Sequence, residues 1–297
     1  MKRFKISIFT PTFNRAYILP KLKESLLRQD CFDFEWLIVD DGSTDETKDL
    51  VGSWCNEPLP FTINYYRTTN EGKPRAINKA CCLAQSEWLF IIDSDDYLVD
   101  NVIGYILDKI AEVKDDDSFV GIGLLRGHHE DTPLSNVSFD NYVDATNLER
   151  PAYGLDFDCN EAYKVSVLRK YPFIVWSGEL FTPEEVVLNE MSLHGYKLRW
   201  YNKVGVISEY LEDGLTKGSD RLVKNNPMGY AMCYNHKLKY TKGLKKRFYY
   251  VCQFISQCFL GGNPSYIRKC NAIALTLIAL PLGFAIFLRR KIQYRNL

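Results

Sequence analysis

An α/β fold built on a mostly parallel central sheet is the class this sequence predicts, and three observations predict it. Strand-like and helix-like segments alternate through the first 125 residues. The strand-like runs are apolar throughout instead of alternating, as strands covered on both faces are. Polar clusters follow four of those runs directly, where open α/β sheets place their ligands.

FKISIF (4–9) reads as the first strand, and Ile18, Leu22 and Leu26 then recur at helical spacing. EWLIVDD (35–41) is a short, β-branched run, followed by Ser43 and Glu46 in the Ser-x-x-Glu pattern of a helix start. INYYR (63–67) is a third strand, and Pro74 suits the first turn of a helix reaching about Gln85. EWLFIID (87–93) is a fourth strand, NVIGYILDKIAEV (101–113) has a helical period, and SFVGIGLL (118–125) is a fifth strand. The rhythm breaks over 126–160. EAYKV (161–165) and KLRWYN (197–202) resume strand character with a helix near 184–194 between them. From about residue 220 the chain is helical, basic and aromatic. The expected division is therefore a domain at 1–219 and a helical region at 220–297.

The 297 residues carry no net charge, 46% are apolar and 25% charged, which is ordinary globular composition without the basic excess of a nucleic-acid binder. Nine cysteines, an odd number with no C-x-x-C, read as reduced cytosolic thiols and not a disulfide framework. The apolar stretch in MKRFKISIFTPTFN is too short for a signal peptide. His128, His129, His194 and His236 are scattered in a way that does not suit a metal site.

The chemistry gathers after the strands. The four clusters are Thr10–Arg15, Asp40–Ser43, Asn70–Arg75 and Asp93–Asp96. Asp93, Asp95 and Asp96 crowd into four positions. At about 5 Å and an effective dielectric near 20, each close pair repels by roughly 3 kcal/mol. Something must offset that. In a strand, residues i and i+2 share a face, so Asp93 and Asp95 are expected to point to one site. There a Mg²⁺ or Mn²⁺ ion would bridge them to diphosphate oxygens.

The ordered set SIFTPTFNR, LIVDDGSTDET, NEGKPRAINKA and FIIDSDDYL resembles the motif series of family 2 glycosyltransferases, which have the Rossmann-like GT-A fold. The resemblance covers roughly residues 4–215. It implies an inverting, metal-dependent hexosyltransferase-type enzyme with a nucleotide-diphosphate sugar donor, usually UDP-linked, and Mn²⁺ or Mg²⁺. It also implies a nucleotide-binding half at about 1–125 and an acceptor half at about 126–219. On this resemblance Thr10, Pro11 and Phe13 would line the nucleoside pocket. Asp41, with Asp40 beside it, would meet the uracil edge, and Asn70, Gly72 and Arg75 would lie near the base and diphosphate. Asp93, with Ser94 beside it, would contact ribose or sugar hydroxyls, and Asp95 would ligate the metal, with Asp93 as its companion and Asp96 as a neighbour.

The family also places a carboxylate base at a helix start after the sheet. The stretch SGELFTPEEVVLNEM (177–191) offers three, ordered Glu184, Glu185, Glu179. Thr182 as N-cap and Pro183 at the first helical position would draw Glu185 back into a capping box and leave Glu184 for the cleft.

Cys270–Leu288 is a 19-residue stretch without charge, interrupted by Pro281 and Gly283 and flanked by basic residues on both sides. Basic residues at both ends fit a simple span poorly. They fit a peripheral or re-entrant hairpin at the inner face of the cell membrane, with FYYVCQFISQCFL (248–260) as its first arm. That setting implies a saccharide or polyprenyl-linked acceptor and surface-polysaccharide assembly. A sugar-nucleotide pyrophosphorylase would have glycine in the first loop, and TPTFNR has none. A non-catalytic, membrane-tethered binding module would keep the acidic clusters but need no base.

Overall fold

The computed structural model describes residues 4–208 and 219–296. The chain forms two compact units. The first is Met1–Pro172 with Leu188–Leu211, and the second is Phe173–Val187 with Glu212–Leu297.

The first unit holds a ten-stranded sheet. Its elements are β1 (Ile6–Thr12), α1 (Leu19–Leu27), β2 (Phe34–Asp40), α2 (Thr47–Trp54), β3 (Thr62–Arg67), α3 (Lys73–Leu83) and β4 (Trp88–Ile91). Then come β5 (Asp96–Leu98), α4 (Val102–Val113), β6 (Phe119–His129), β7 (Thr132–Pro133), β8 (Tyr142–Ala145), β9 (Cys159–Lys164) and α5 (Val165–Lys170). Helix α6 (Glu185–Leu193) and β10 (Lys197–Ser208) follow. The main order is β3-β2-β1-β4-β9-β6-β10-β5. Strands β1 to β4 pair in parallel, and all seven residues of β2 are buried. That burial is why these strands read as unbroken apolar runs. The irregular stretch 126–160 ends in β9, which inserts antiparallel between β4 and β6, so the sheet is mixed beyond β4.

The helices follow their periodicity. Val102, Ile103, Ile106, Ile110 and Val113 form the buried face of α4. Each such side chain contributes about 1.5–3 kcal/mol over leaving it in water. The box expected at α2 does not form. Ser43 Oγ accepts the Asn14 N–H, and Asp45 instead accepts the Thr47 N–H at the helix start. Glu35, wholly buried in β2, is satisfied by the Ser7 hydroxyl, the Asn64 amide and the Gln85 N–H. A buried carboxylate requires such partners. None of the nine cysteines is in a disulfide.

The second unit is helical: α7 (Ser219–Asn225), α8 (Pro227–Lys237), α9 (Leu244–Leu260) and α10 (Ile273–Gln293). Val251–Cys258 of α9 are all buried, in a core with Met228, Ala231 and Ala279. The segment 248–260 is thus a core helix and not a lipid-facing arm, because α8 and α10 cover it. Part of the acceptor half expected before residue 219 lies outside the described residues.

Candidate active site

The rim is made by loops at the carboxyl ends of β1, β2 and β4 and the loop before α3. After β1, Asn14 takes a left-handed φ of 54°. Its Oδ1 accepts the Thr44 N–H at 2.7 Å, and the Ala16 N–H reaches Asp45 at 3.1 Å. The first two loops are therefore knitted together. Phe13 is exposed and Pro11 half-buried, but Thr10 is fully buried and its hydroxyl accepts the Trp36 indole N–H at 3.0 Å.

Asp40 lies inside the fold and not on the rim. One oxygen accepts the Ser43 N–H at 2.8 Å and the other the Tyr65 hydroxyl, and no part of the residue is exposed. Burial and the Asp40 bond push the Tyr65 phenol above its usual range. Asp41 accepts the Glu71 and Gly72 N–H groups at 2.7 and 2.8 Å. Burial raises its pKa against those two bonds. The carboxylate so engaged ties the Asn70–Gly72 loop to the end of β2. The tie needs glycine twice. Gly72 has φ +90°, and a Cβ on Gly42 (φ +84°) would stand 2.9 Å from the Asn70 nitrogen. Asn70 is exposed, and Gly72 and Arg75 are half-buried.

The acidic cluster follows β4 as a turn, with the Asp96 N–H donating to the Asp93 carbonyl at 3.1 Å. Asp93 and Asp95 therefore lie in a turn and not on one face of a strand. Two cations of the chain itself pair with the cluster. Lys73 Nζ sits 2.7 Å from Asp93, and Arg126 bridges Asp93 at 3.2 Å and Asp96 at 3.0 Å. Burial would raise the Asp93 carboxyl, but the Lys73 and Arg126 charges overcome it and hold it well below the usual range. Asp96 goes the other way, because its burial outweighs Arg126 and the Asp93 charge adds to it. Ser94 is buried in the turn. Asp95 is half-buried and, among the described residues, makes no ion pair with Lys or Arg; burial and then the Asp93 charge raise its pKa.

Among the described residues no group of three His, Cys, Asp or Glu gathers to hold a metal. The site's chemistry nevertheless fits a hard divalent ion. Asp95 offers one carboxylate that, among the described residues, makes no ion pair, and a diphosphate can supply the remaining oxygens. The buried Nε of Arg126 and Oδ1 of Asn160 have no hydrogen-bond partner. Such orphans are costly without a polar guest. Lys73 lies within the motif NEGKPRAINKA, so position could have singled it out. Arg126 carried no local signal, since it enters only because β6 runs past the fifth predicted strand.

The three acids considered as base lie in the second unit. Glu179 is buried and accepts the Met228 and Gly229 N–H groups, both at 2.7 Å, so it caps the start of α8. Burial raises its pKa against those bonds. Asn226 returns the brace by accepting the Leu180 and Phe181 N–H groups at 2.9 Å. Glu185 accepts the Cys233 thiol at 3.1 Å and pairs with Lys237 at 2.8 Å. The capping box expected with Thr182 is absent, because the Thr182 hydroxyl is buried without a partner and Glu185 turns to α8. Glu184 is half-buried, and its carbonyl accepts the Val187 N–H at 3.0 Å.

Residues 7–171, more than half of the chain, match the family model described as "Glycosyl transferase family 2". The chain belongs to that family. This family 2 transferase is 37% identical over 115 residues to the PGL/p-HBAD biosynthesis glycosyltransferase of Mycobacterium bovis (strain BCG / Pasteur 1173P2). The match covers 39% of the chain and 41% of that relative, so it spans about two fifths of the relative's length. In fold it resembles S. aureus TarS 1–349 in complex with UDP-GlcNAc, with a TM-score of 0.61 and 18% identity over 97% of this chain and 81% of that one. It also resembles the mannosyltransferase PcManGT of Pyrobaculum calidifontis in complex with GDP-Man and Mn²⁺, with a TM-score of 0.56 and 16% identity over 95% and 76% of the two chains. The GT-A architecture is thus that of the transferase.

Proposed function

We propose that the transferase moves a sugar, with inversion, from a UDP-linked donor to a hydroxyl of a saccharide or polyprenyl-linked acceptor. Its setting would be surface-polysaccharide assembly at the cytoplasmic face of a membrane. One observation carries the reading: in the acidic turn after β4, Asp93 pairs with Lys73 and Arg126 and Asp96 with Arg126, while Asp95, among the described residues, makes no ion pair with Lys or Arg. That arrangement suits a diphosphate accompanied by a metal better than a lone cation.

In the proposed mechanism Phe13 and Pro11 line the nucleoside pocket, and the Asn70–Gly72 loop, held by Asp41, approaches the base. Asp40 and Thr10 act from inside as braces. Arg75 and Lys73 face the negative charge of the diphosphate. Asp93 and Ser94 stand by the donor's hydroxyls, with Arg126 fixing the Asp93 carboxylate. A Mn²⁺ or Mg²⁺ ion held by Asp95, with Asp93 close by, would supply charge stabilisation for the departing diphosphate. Glu184 takes the proton from the acceptor hydroxyl as that oxygen attacks the anomeric carbon and the sugar–phosphate bond breaks. Glu179 and Glu185, both engaged with α8, hold the segment that bears it.

The test is UDP release from a panel of UDP-sugars with acceptor, alongside thermal shift with and without Mn²⁺. Asp95→Asn is expected to abolish the metal-dependent shift. Glu184→Gln should keep donor binding and lose about 10²–10⁴-fold in turnover. A Glu184→Gln enzyme with normal turnover overturns the base assignment, and no stabilisation by any nucleotide sugar overturns the donor reading.

A further inference from the structure

We infer that α10 is an in-plane anchor, its bare apolar face lying on the surface of an anionic bilayer. The inference deepens the membrane part of the proposed function, and it is tested without any sugar transfer. Only Thr276, Ala279 and Gly283 of the 21 residues in α10 are buried. They form the seam against α9, where a Cβ on Gly283 would stand 2.7 Å from Ile255. Away from that seam the helix presents Leu277 at 82% exposure, Ile278 at 71%, Leu282 at 50%, and Leu280, Phe284 and Leu288 above 40%. An apolar strip of this length on a water-soluble face is an interaction surface.

Length alone would let α10 cross a bilayer. Its contacts oppose that. Arg290 reaches back to α9, with its guanidinium 2.6 Å from Gln253 Oε1 and 3.3 Å from Ser256 Oγ, and both partners are buried. Helix α9 is itself the centre of the unit's core. One face of α10 is therefore protein-bound along its length, and the opposite face is left for lipid, which is the geometry of a helix lying in the interface.

Charge names the lipid. No aspartate or glutamate occurs after Asp220, whereas 14 of the chain's 37 lysines and arginines do. Lys245, Lys246, Arg268, Lys269, Arg289 and Lys291 are exposed at the ends of α9 and α10. In a chain of zero net charge this is strong segregation, and it complements anionic headgroups. A second copy of the chain would bring the same basic residues to the interface and repel.

The experiment is sedimentation of the full chain with phosphatidylglycerol or phosphatidylcholine vesicles. Binding is expected to the anionic vesicles, at least about tenfold weaker to the zwitterionic ones. It should reverse in about 1 M salt, where the screening length is roughly 3 Å. Leu277→Asp with Ile278→Asp, both on the exposed face, should keep the circular dichroism spectrum and lose at least about a hundredfold in binding. Lys245→Gln and Lys246→Gln should each cost roughly fivefold. Three results would overturn the inference. One is no binding to anionic vesicles. Another is a dimer in light scattering that the double Asp variant dissolves. The third is protein that resists both salt and alkaline extraction, which would mean a spanning helix.

Discussion

The sheet unit and the last 77 residues of the chain handle charge and apolar surface in opposite ways. In the sheet unit three acids are drawn into the protein and met: Glu35 by three donors, Asp40 by Ser43 and Tyr65, Asp93 by Lys73 and Arg126. In the helical unit the last 77 residues contain no acid at all, and the longest helix leaves most of its apolar side chains in contact with solvent. A buried charge costs several kcal/mol unless paired, so the sheet unit is specific about its partners. An exposed leucine costs the fold little, so α10 is free to serve a surface outside the protein. Residue type alone does not distinguish core from interface; packing does.

The largest break in that contrast comes at Arg126. Arg126→Met leaves Asp93 and Asp96 facing each other with only Lys73 nearby. It should destabilise the protein by roughly 3 kcal/mol in urea unfolding, as loss of one partner of a buried pair does. A change below about 1 kcal/mol would mean that solvent, and not Arg126, neutralises the turn.

The pH dependence is smaller and has a definite sign. Asp93 is held well below its ordinary pKa by Lys73 and Arg126 against burial. Its contribution is therefore fully present above about pH 4, its unfolded value, and is lost as pH falls toward the folded value. The stability difference between the protein and its Asp93→Asn variant should be greatest near neutrality and shrink below about pH 4. A difference that stays constant down to about pH 2 would show that the pairing does not act through ionisation.

The smallest effect is expected at Leu277 on α10, and a core position on α9 supplies its contrast. Ile255→Ala, in the core of α9, should cost about 2–4 kcal/mol, while Leu277→Ala should stay within about 0.5 kcal/mol in the absence of lipid. Equal costs would mean that the apolar face of α10 is packed against protein in solution.

Much of this was legible in the chain. The alternation of strands and helices, the proline opening α3 and the four polar clusters all depend on neighbours a few residues apart, and local sequence carries that information. The clusters reappear at the ends of β1, β2 and β4 and before α3, although Thr10 and Asp40 turn inward, because strand-end residues can face the core as readily as the rim. What only tertiary structure decided is long-range. The insertion of β9 between β4 and β6 depends on partners about 35 to 75 residues away. The neutralisation of Asp93 depends on a lysine 20 residues before it and an arginine 33 after it. The engagement of Glu179 and Glu185 depends on a helix about 50 residues further on. A hydropathy pattern likewise marks α10 as apolar, but which of its sides meets protein is set by Gly283 and Arg290 against α9. Periodicity reports what a segment prefers to bury; only the assembled neighbours determine which charges are paired and which faces stay bare.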